Sequence, residues 1–224
     1  MERQCDDVAI LEQTLQTMAA DIDHVFIDFD GVVMDSEPLQ CMAYAMVLHD
    51  YGIDFGNDVF IRYIGNTEDV ILDRLQVDFS IDFDKSEFSS RRAALLDSFM
   101  SQVTEPHWFI RPVLDWCDSH RLPVAIVSAG HAPRIRGALD RLGIAHQVAD
   151  VITVPEQPSG TTKPELIVRL ANDNANSHLL IEDSPSMISF GRSIGMKTIA
   201  VRHDYNVGTD LLADVVIDVR RSRN

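Results

Sequence analysis

The sequence predicts an α/β fold, in which a parallel β-sheet carries helices on both faces and one helical domain is inserted after the first strand. Two observations support this prediction. Most of the short apolar runs along the chain are separated by helical stripes of about three turns, which is the pattern of a parallel sheet. A long helical block without a convincing strand separates the first apolar run from the second.

The predicted strands are six short apolar runs. They are 24–29 (HVFIDF), 123–127 (PVAIV), 150–154 (DVITV), 178–182 (HLLIE), 197–201 (KTIAV) and 214–218 (DVVID). Between the later runs, apolar residues recur at helical spacing, which predicts helices around 135–142, 166–171 and 187–194. The first run belongs to the same sheet as the later ones. The chain must therefore leave the sheet after residue 29 and return to it at the second run, 123–127.

The block that interrupts the sheet extends from residue 38 to residue 110. Its apolar residues recur at helical spacing, and we expect Met42 and Met46, which lie on one such stripe, to belong to a core. A chain of 224 residues is long enough for a core domain and a smaller insertion. We therefore assign residues 1–37 and 111–224 to a core domain and residues 38–110 to an inserted helical domain.

The N-terminal segment carries a helical stripe of its own. Val8, Leu11, Leu15 and Met18 predict an amphipathic leader helix at about 8–19, packed on the core or on a partner subunit. The start, MERQCDDVAI, lacks the basic flank and the long apolar stretch of a signal peptide. We therefore expect this helix to be part of the folded protein, and the sequence leaves a monomer and a homodimer equally open.

Composition excludes several classes of partner. The formal net charge of −16 and the isoelectric point near 4.7 argue against nucleic acid or an anionic membrane surface as a ligand. No apolar run approaches the length of a membrane span. Cys5, Cys41 and Cys117 form neither a zinc-binding spacing nor a disulfide framework, so a reducing, cytoplasmic location is expected.

Two carboxylates follow the first predicted strand. Asp28 and Asp30 are two residues apart, so in an extended segment their side chains point to the same face. Two like charges held together are expensive to desolvate unless a cation neutralises them. The pair therefore predicts a cation close by.

Other polar residues follow the remaining strands. Ligands of parallel sheets gather beyond the carboxyl ends of the strands, and these ends supply Ser128 with the amides after it, and Glu182 with Asp183. Lys163 stands just before another predicted helix. Three aspartates offer the hard oxygen ligands of Mg²⁺, with Glu182 able to join or orient them, and a hydroxyl, amides and an ammonium suit a phosphoryl group. The set predicts a phosphoryl-transfer site.

Four segments resemble, in order, the motifs of the haloacid dehalogenase superfamily in its β-phosphoglucomutase-like branch. They are DFDGVVMDSEP (28–38), Ser128 after PVAIV, Lys163-Pro164, and IEDSPSMISFGRSIGM (181–196). The resemblance covers about residues 24–202. It implies a Rossmann-like core with a helical C1-type cap inserted between the first and second motifs, which matches the block at 38–110.

The resemblance also implies a role for each motif residue. Asp28 would be the nucleophile that forms an aspartyl-phosphate, and Asp30 would act as general acid and then as general base. Mg²⁺ would bind the Asp28 side chain, the Asp30 backbone carbonyl and Asp183, with Glu182 nearby. The phosphoryl oxygens would be held by Ser128, Ala129 and Lys163.

Two departures from the branch favour hydrolysis over transfer within a sugar. Branch members that are mutases commonly carry a histidine twelve residues after the nucleophile, where this chain has Gln40. The loop YIGNTED (63–69) lacks the basic residue that often follows its glycine in those mutases. We therefore predict a phosphatase of a small phosphate ester, a sugar or polyol phosphate, with a phosphosugar mutase and a non-catalytic binding protein as alternatives. Arg62 is the candidate ligand for a second anionic group on the substrate.

Overall fold

A computed structural model of the chain describes residues 2–18, 21–64 and 66–220. The chain divides into two compact units. The first unit comprises Met1–Met34 with Thr104–Asn224, and the second comprises Asp35–Val103. The second unit thus covers a slightly earlier range than the inserted domain expected at 38–110, and its role as a cap stays a prediction.

The first unit is built on a six-stranded parallel sheet. Its strands are β1 (His24–Ile27), β2 (Val124–Ser128), β3 (Asp150–Thr153), β4 (His178–Glu182), β5 (Lys197–Arg202) and β6 (Val215–Asp218). They lie in the order β3-β2-β1-β4-β5-β6, and every neighbouring pair is parallel. The predicted α/β fold class is confirmed, and each predicted apolar run overlaps one strand.

The described residues form α-helices between and before these strands. They are α1 (Glu2–Met18), α2 (Glu37–His49), α3 (Asn57–Phe60), α4 (Glu68–Phe79), α5 (Lys85–Met100), α6 (Ile110–His120), α7 (Ala132–Arg141), α8 (Lys163–Ala171) and α9 (Pro185–Ser193). Helices α2 to α5 belong to the second unit, and no strand occurs among its described residues, 35–64 and 66–103. None of the helices in the described ranges is both long and apolar enough to cross a membrane.

Both faces of the sheet are buried by packing. On one face, Phe26 of β1 joins a cluster with Val127 of β2, Leu180 of β4, Leu166 of α8 and Met187 of α9. The alternate residues of β1 point to the opposite face, and both are fully buried as well. Strand β1 therefore lies at the centre of the core, which fixes the position of the residues that follow it.

Helix α1 is longer than the expected leader helix. It begins at Glu2, whereas the apolar stripe begins only at Val8, because the first turns are polar and carry no periodic signal. Leu11, Leu15 and Met18 of its apolar stripe are buried, and α1 contacts α6 of the same unit. The expected last residue of the leader helix, residue 19, lies outside the described residues.

The second unit has an aromatic core. Tyr44 of α2 lies within about 6 Å, ring to ring, of Phe55, Phe60 and Phe88. The expectation that Met42 and Met46 belong to a core is wrong, because their exposed fractions are 49% and 50%. The buried face of α2 is instead formed by Cys41, Ala43, Tyr44, Val47 and Leu48.

Candidate active site

The segment after β1 holds the two aspartates predicted to be catalytic. The backbone N–H of Asp28 donates to the carbonyl of Ile181 at 2.9 Å, which extends the pairing with β4 by one residue. The chain then turns, and the N–H of Val33 donates to the carbonyl of Phe29 at 2.9 Å. Gly31 within this turn has φ +72°, a left-handed conformation that glycine adopts without a Cβ penalty. The turn leaves Asp28 fixed by the sheet and Asp30 just beyond it.

Lys163 brings two carboxylates together. Its Nζ lies 2.7 Å from Asp28 Oδ1 and 2.6 Å from Glu182 Oε2. All three side chains are about nine-tenths buried or more. Lys163 is the first residue of α8, whose N-terminus is fixed by a capping box between Thr162 and Glu165. Lys163, the predicted ligand of a phosphoryl group, thus contacts Asp28 directly, and its role toward phosphate stays a prediction.

The charges in this cluster shift the pKa of each member. The pKa of Asp28 is raised to about 7, chiefly by burial and then by the negative charge of Glu182, although the Lys163 ammonium opposes the shift. Burial also raises the pKa of Glu182. For Lys163, burial would lower the pKa, but the charges of Asp28 and Glu182 outweigh it and raise the pKa above its ordinary value. One buried ammonium thus serves two carboxylates.

Glu182 is held at both oxygens. Its Oε1 accepts hydrogen bonds from the backbone N–H of Asp183 at 3.1 Å and of Ser184 at 3.2 Å. Its Oε2 accepts from Lys163. These bonds fix the start of the loop after β4, so Glu182 orients Asp183 and Lys163 at the same time.

Asp183 is held by two residues that the sequence analysis did not single out. Its Oδ2 lies 2.7 Å from His203 Nε2, and its backbone carbonyl accepts a hydrogen bond from Asn206 Nδ2 at 3.0 Å. Both residues belong to the segment HDYN, which follows β5 directly. Reading the carboxyl end of this strand, as for β1, β2 and β4, would have found them.

Three carboxylates of this site are arranged to share a cation. Asp28, Glu182 and Asp183 each offer an oxygen, and these oxygens lie within 4.8 Å of one another. Hard carboxylate oxygens in this number suit a divalent cation such as Mg²⁺. The donor set is therefore compatible with a divalent cation, and Mg²⁺ as that cation stays a prediction.

Ser128 is the last residue of β2, which pairs with β1 on the edge opposite β4, and it lies close to Asp30. The backbone N–H of Gly130 donates to Ser128 Oγ at 2.9 Å, and Ser128 is buried while Ala129 is exposed. A Cβ atom at Gly130 would lie 3.3 Å from Ser128 Oγ and 3.4 Å from Asp30 Oδ2. The Asp30 carboxylate therefore lies beside the loop that follows β2, the loop predicted from the sequence to bind a phosphoryl group.

Arg62 belongs to the second unit. Its side chain is exposed, and its backbone carbonyl accepts a hydrogen bond from Arg74 at 3.0 Å. Gln40 lies on α2 of the same unit. The site assembled from the first unit alone thus contains Asp28, Asp30, Ser128, Ala129, Lys163, Glu182 and Asp183.

Comparison with known proteins gives a family match over most of the chain. Residues 25–201 match the family described as haloacid dehalogenase-like hydrolase. This range includes all seven site residues of the first unit, from the aspartates after β1 to the acidic pair after β4.

Individual relatives extend this result. The chain is 26% identical over 197 residues to a phosphorylated carbohydrates phosphatase of Thermotoga maritima, covering 84% of this chain and 89% of that protein. It is 22% identical over 211 residues to a phosphoglycolate phosphatase of Pseudomonas syringae pv. tomato, covering 88% and 77%. The crystal structure of a β-phosphoglucomutase from Clostridium difficile shares the fold, with a TM-score of 0.70, 22% identity and coverage of 88% and 91%.

Proposed function

The chain belongs to the haloacid dehalogenase-like hydrolase family, and from this premise we propose that it is a Mg²⁺-dependent phosphatase of small phosphorylated metabolites, a sugar or polyol phosphate being the expected substrate. The observation that carries the proposal is the cluster of Asp28, Lys163, Glu182 and Asp183 at the carboxyl ends of adjoining strands. Named phosphatases among the relatives support it.

The fit of the carboxylates to a divalent cation supports the metal requirement. Asp28 and Asp183, with the backbone carbonyl of Asp30, are the proposed ligands, and Glu182 stands beside them. When bound, Mg²⁺ would neutralise charge on the carboxylates and on the phosphoryl oxygens. Glu182 already uses both oxygens in hydrogen bonds, so we assign it chiefly to orienting its neighbours.

Asp28 is the proposed nucleophile. One of its carboxylate oxygens forms a bond to phosphorus while the bond from phosphorus to the ester oxygen breaks, which gives an aspartyl-phosphate. Lys163, the Ser128 hydroxyl and the backbone amide of Ala129 hold the phosphoryl oxygens as charge moves onto them. Only the ionised carboxylate attacks, and in the metal-free chain burial raises the pKa of Asp28 to about 7, so Asp28 must first lose its proton.

Asp30 is the proposed acid and base. In the first step it donates its proton to the departing ester oxygen, and in the second it takes a proton from the attacking water. That water forms a bond to phosphorus, the acyl-phosphate bond to Asp28 breaks, and inorganic phosphate leaves. The position of the Asp30 carboxylate beside the Ser128 loop is consistent with both steps.

Substrate selection is assigned to the helical unit Asp35–Val103, which we propose to be the cap. Arg62, with its exposed guanidinium, is the proposed ligand of a second anionic group on the substrate. Gln40 in place of the mutase histidine favours hydrolysis over transfer of the phosphoryl group back to a sugar. The two buried free thiols, Cys41 and Cys117, suit the reducing cytoplasm that we propose as its location.

A panel of sugar and polyol phosphates, together with p-nitrophenyl phosphate, tests this function. We expect phosphate release with Mg²⁺, none with EDTA, and none from Asp28→Asn, whereas Asp140→Asn at an exposed position of α7 should behave as wild type. Turnover retained by Asp28→Asn would remove the mechanism. Conversion of a hexose phosphate to an isomer without phosphate release would identify a mutase, and no turnover of any compound would favour a binding protein.

A further inference from the structure

His203 is buried directly against a proposed metal ligand. It follows the last residue of β5, only 4% of it is exposed, and its Nε2 lies 2.7 Å from Asp183 Oδ2. A Cβ atom on Gly31 would lie 3.2 Å from the same ring nitrogen. The turn after β1 thus packs closely on the pair formed by His203 and Asp183.

The hydrogen bonds around the ring fix which nitrogen carries the proton. The backbone N–H of Tyr205 donates to His203 Nδ1 at 3.2 Å. Because Nδ1 accepts that bond, the proton lies on Nε2, and His203 therefore donates to Asp183 Oδ2. The backbone N–H of Tyr205 thus occupies Nδ1 and leaves the Nε2–H directed at Asp183.

The Asn206 side chain holds His203 and Asp183 together through hydrogen bonds to their backbones. Its Oδ1 accepts a hydrogen bond from the His203 backbone N–H at 2.9 Å. Its Nδ2 donates to the carbonyls of Asp183 at 3.0 Å and of Val201 at 2.9 Å. The segment after β5 therefore holds Asp183 at its backbone carbonyl and at the side-chain oxygen Oδ2.

We propose that His203 is a positioning residue that keeps Asp183 a one-oxygen ligand and thereby favours Mg²⁺ over Ca²⁺ at this site. The proposal rests on the proposed function, because it takes Asp183 to be a metal ligand. Mg²⁺ requires near-octahedral coordination at short distances, while Ca²⁺ is larger and accepts carboxylates through both oxygens. A donor fixed on Oδ2 leaves Oδ1 for the cation and opposes the two-oxygen mode that Ca²⁺ can use.

Residues that hydrogen-bond to a metal ligand contribute to metal affinity because they orient that ligand. Removing a group that orients a metal ligand typically weakens metal binding by about 10- to 100-fold. A residue that only stabilised the segment after β5 would change the unfolding temperature instead and would leave the ratio of Mg²⁺ to Ca²⁺ affinity unchanged. The two roles are therefore separable by measuring metal binding directly.

The test is isothermal titration calorimetry of Mg²⁺ and Ca²⁺ with the full chain and three variants. His203→Phe keeps a ring but removes the donor, and His203→Gln places an amide N–H near the position of Nε2. The matched control is His178→Phe, because His178 is also buried but stands at the amino end of β4, where its Nδ1 contacts the Asn174 carbonyl at 2.8 Å. Thermal unfolding without metal reports the stability of each variant.

We expect His203→Phe to bind Mg²⁺ about 10- to 100-fold more weakly, with Ca²⁺ affinity unchanged or higher. His203→Gln should recover most of the Mg²⁺ affinity, and His178→Phe should bind both ions as wild type does. A folded His203→Phe variant whose Mg²⁺ affinity lies within about twofold of wild type would overturn the proposal. An equal loss for both ions would also overturn it, because the discrimination would then not depend on His203.

A second measurement observes the His203 ring of the wild-type chain directly. Long-range ¹H–¹⁵N correlation spectra should show an Nε2–H for His203, assigned by the absence of its signals in His203→Gln, and these resonances should move when Mg²⁺ is added. An Nδ1–H tautomer, which has no proton on Nε2 to donate to Asp183, would overturn the proposal even if His203→Phe failed to fold. If His203→Phe kept phosphatase activity with the Mg²⁺ response of wild type, the role of His203 would be wrong and the proposed function would stand. If the wild-type chain did not bind Mg²⁺, both the role of His203 and the metal-dependent function would be wrong.

Discussion

Lys163 Nζ lies 2.7 Å from Asp28 Oδ1, and the exposed fractions of the two side chains are only 12% and 10%. The same ammonium lies 2.6 Å from Glu182 Oε2. When both carboxylates are ionised, these three side chains together carry one negative charge in excess of the ammonium, and buried uncompensated charge is costly. A divalent cation would relieve this excess, and several predictions depend on it.

Replacing Lys163 by methionine should destabilise the metal-free chain. Loss of one partner from a buried ion pair typically costs about 3–5 kcal/mol, and urea unfolding at pH 7.5 in EDTA measures it. The loss should be smaller at pH 5.5, because Asp28 is then protonated. Lys85→Met is the control: its ion pair with Asp73 is largely exposed, so a change below about 1 kcal/mol is expected. Equal stability of the two variants would contradict the buried ion pair.

The pH dependence of stability should report Asp28 in the metal-free chain. Its pKa is raised from 3.8 to about 7 on folding, so between these values the folded state binds more protons than the unfolded state. The free energy of unfolding must then fall as the pH rises through this window, by at most about 1.4 kcal/mol per pH unit. Asp28→Asn should remove this part of the slope. Thermal unfolding of both proteins in EDTA from pH 4.5 to 7.5 measures the difference, and parallel curves would contradict the raised pKa.

Asp30→Asn should slow both chemical steps, the second most visibly. General acid–base catalysis contributes about 10²- to 10⁴-fold, so steady-state turnover should fall by that factor. The nitrophenolate group of p-nitrophenyl phosphate leaves readily without a proton, so the first step should continue with this substrate. Stopped-flow mixing is then expected to show a burst of nitrophenol equal to the enzyme concentration, followed by slow turnover. A full loss of the burst would place Asp30 in binding instead of proton transfer.

Arg62→Ala should separate substrates by their charge. Hydrogen bonds to charged groups contribute about 1.5–3 kcal/mol, so KM should rise about 10- to 100-fold for a good substrate with a second anionic group. For p-nitrophenyl phosphate, which lacks such a group, KM should stay the same. Steady-state kinetics on both substrates is sufficient, and an unchanged KM for every good substrate would remove Arg62 from the substrate site.

The strands could be predicted from the sequence because their apolar runs are short and sharply bounded. HLLIE is buried throughout as β4, and KTIAV is buried except at its first residue. The order of the strands could not be predicted in the same way, since it depends on long-range pairing of β1 with both β2 and β4. Met42 and Met46 were misplaced because the apolar stripe of α2 is broad, and the aromatic residues decide which part of it is buried.

The sequence indicated the candidate reactive residues of the site better than it indicated the residues that hold them in position. Asp28 and Glu182 are of types that are rare at buried positions, so their place at the ends of predicted strands was informative. The position of His203 and Asn206 after β5 is visible in the sequence, but their roles are not, because these depend on the shape of one turn and on a tautomer. Hydrogen bonds of this kind are specified by backbone geometry, which a pattern of residue types does not contain.

Gly31→Ala should impair the metal site as well as the fold. Gly31 has φ +72°, and a Cβ atom there would overlap Asp183 Oδ2 and lie 3.1 Å from Asp183 Cγ. Gly143→Ala is a matched control in the same unit, since Gly143 has φ +70° but nothing within 4 Å of its Cβ position. Both variants should lose about 1–2 kcal/mol from the left-handed backbone, measured by urea unfolding in EDTA. Only Gly31→Ala should lose more than this and also lose the stabilisation that Mg²⁺ gives wild type, because only its methyl group displaces the Asp183 carboxylate. If Mg²⁺ stabilised both variants equally, the close approach of the two loops would not matter to the cation.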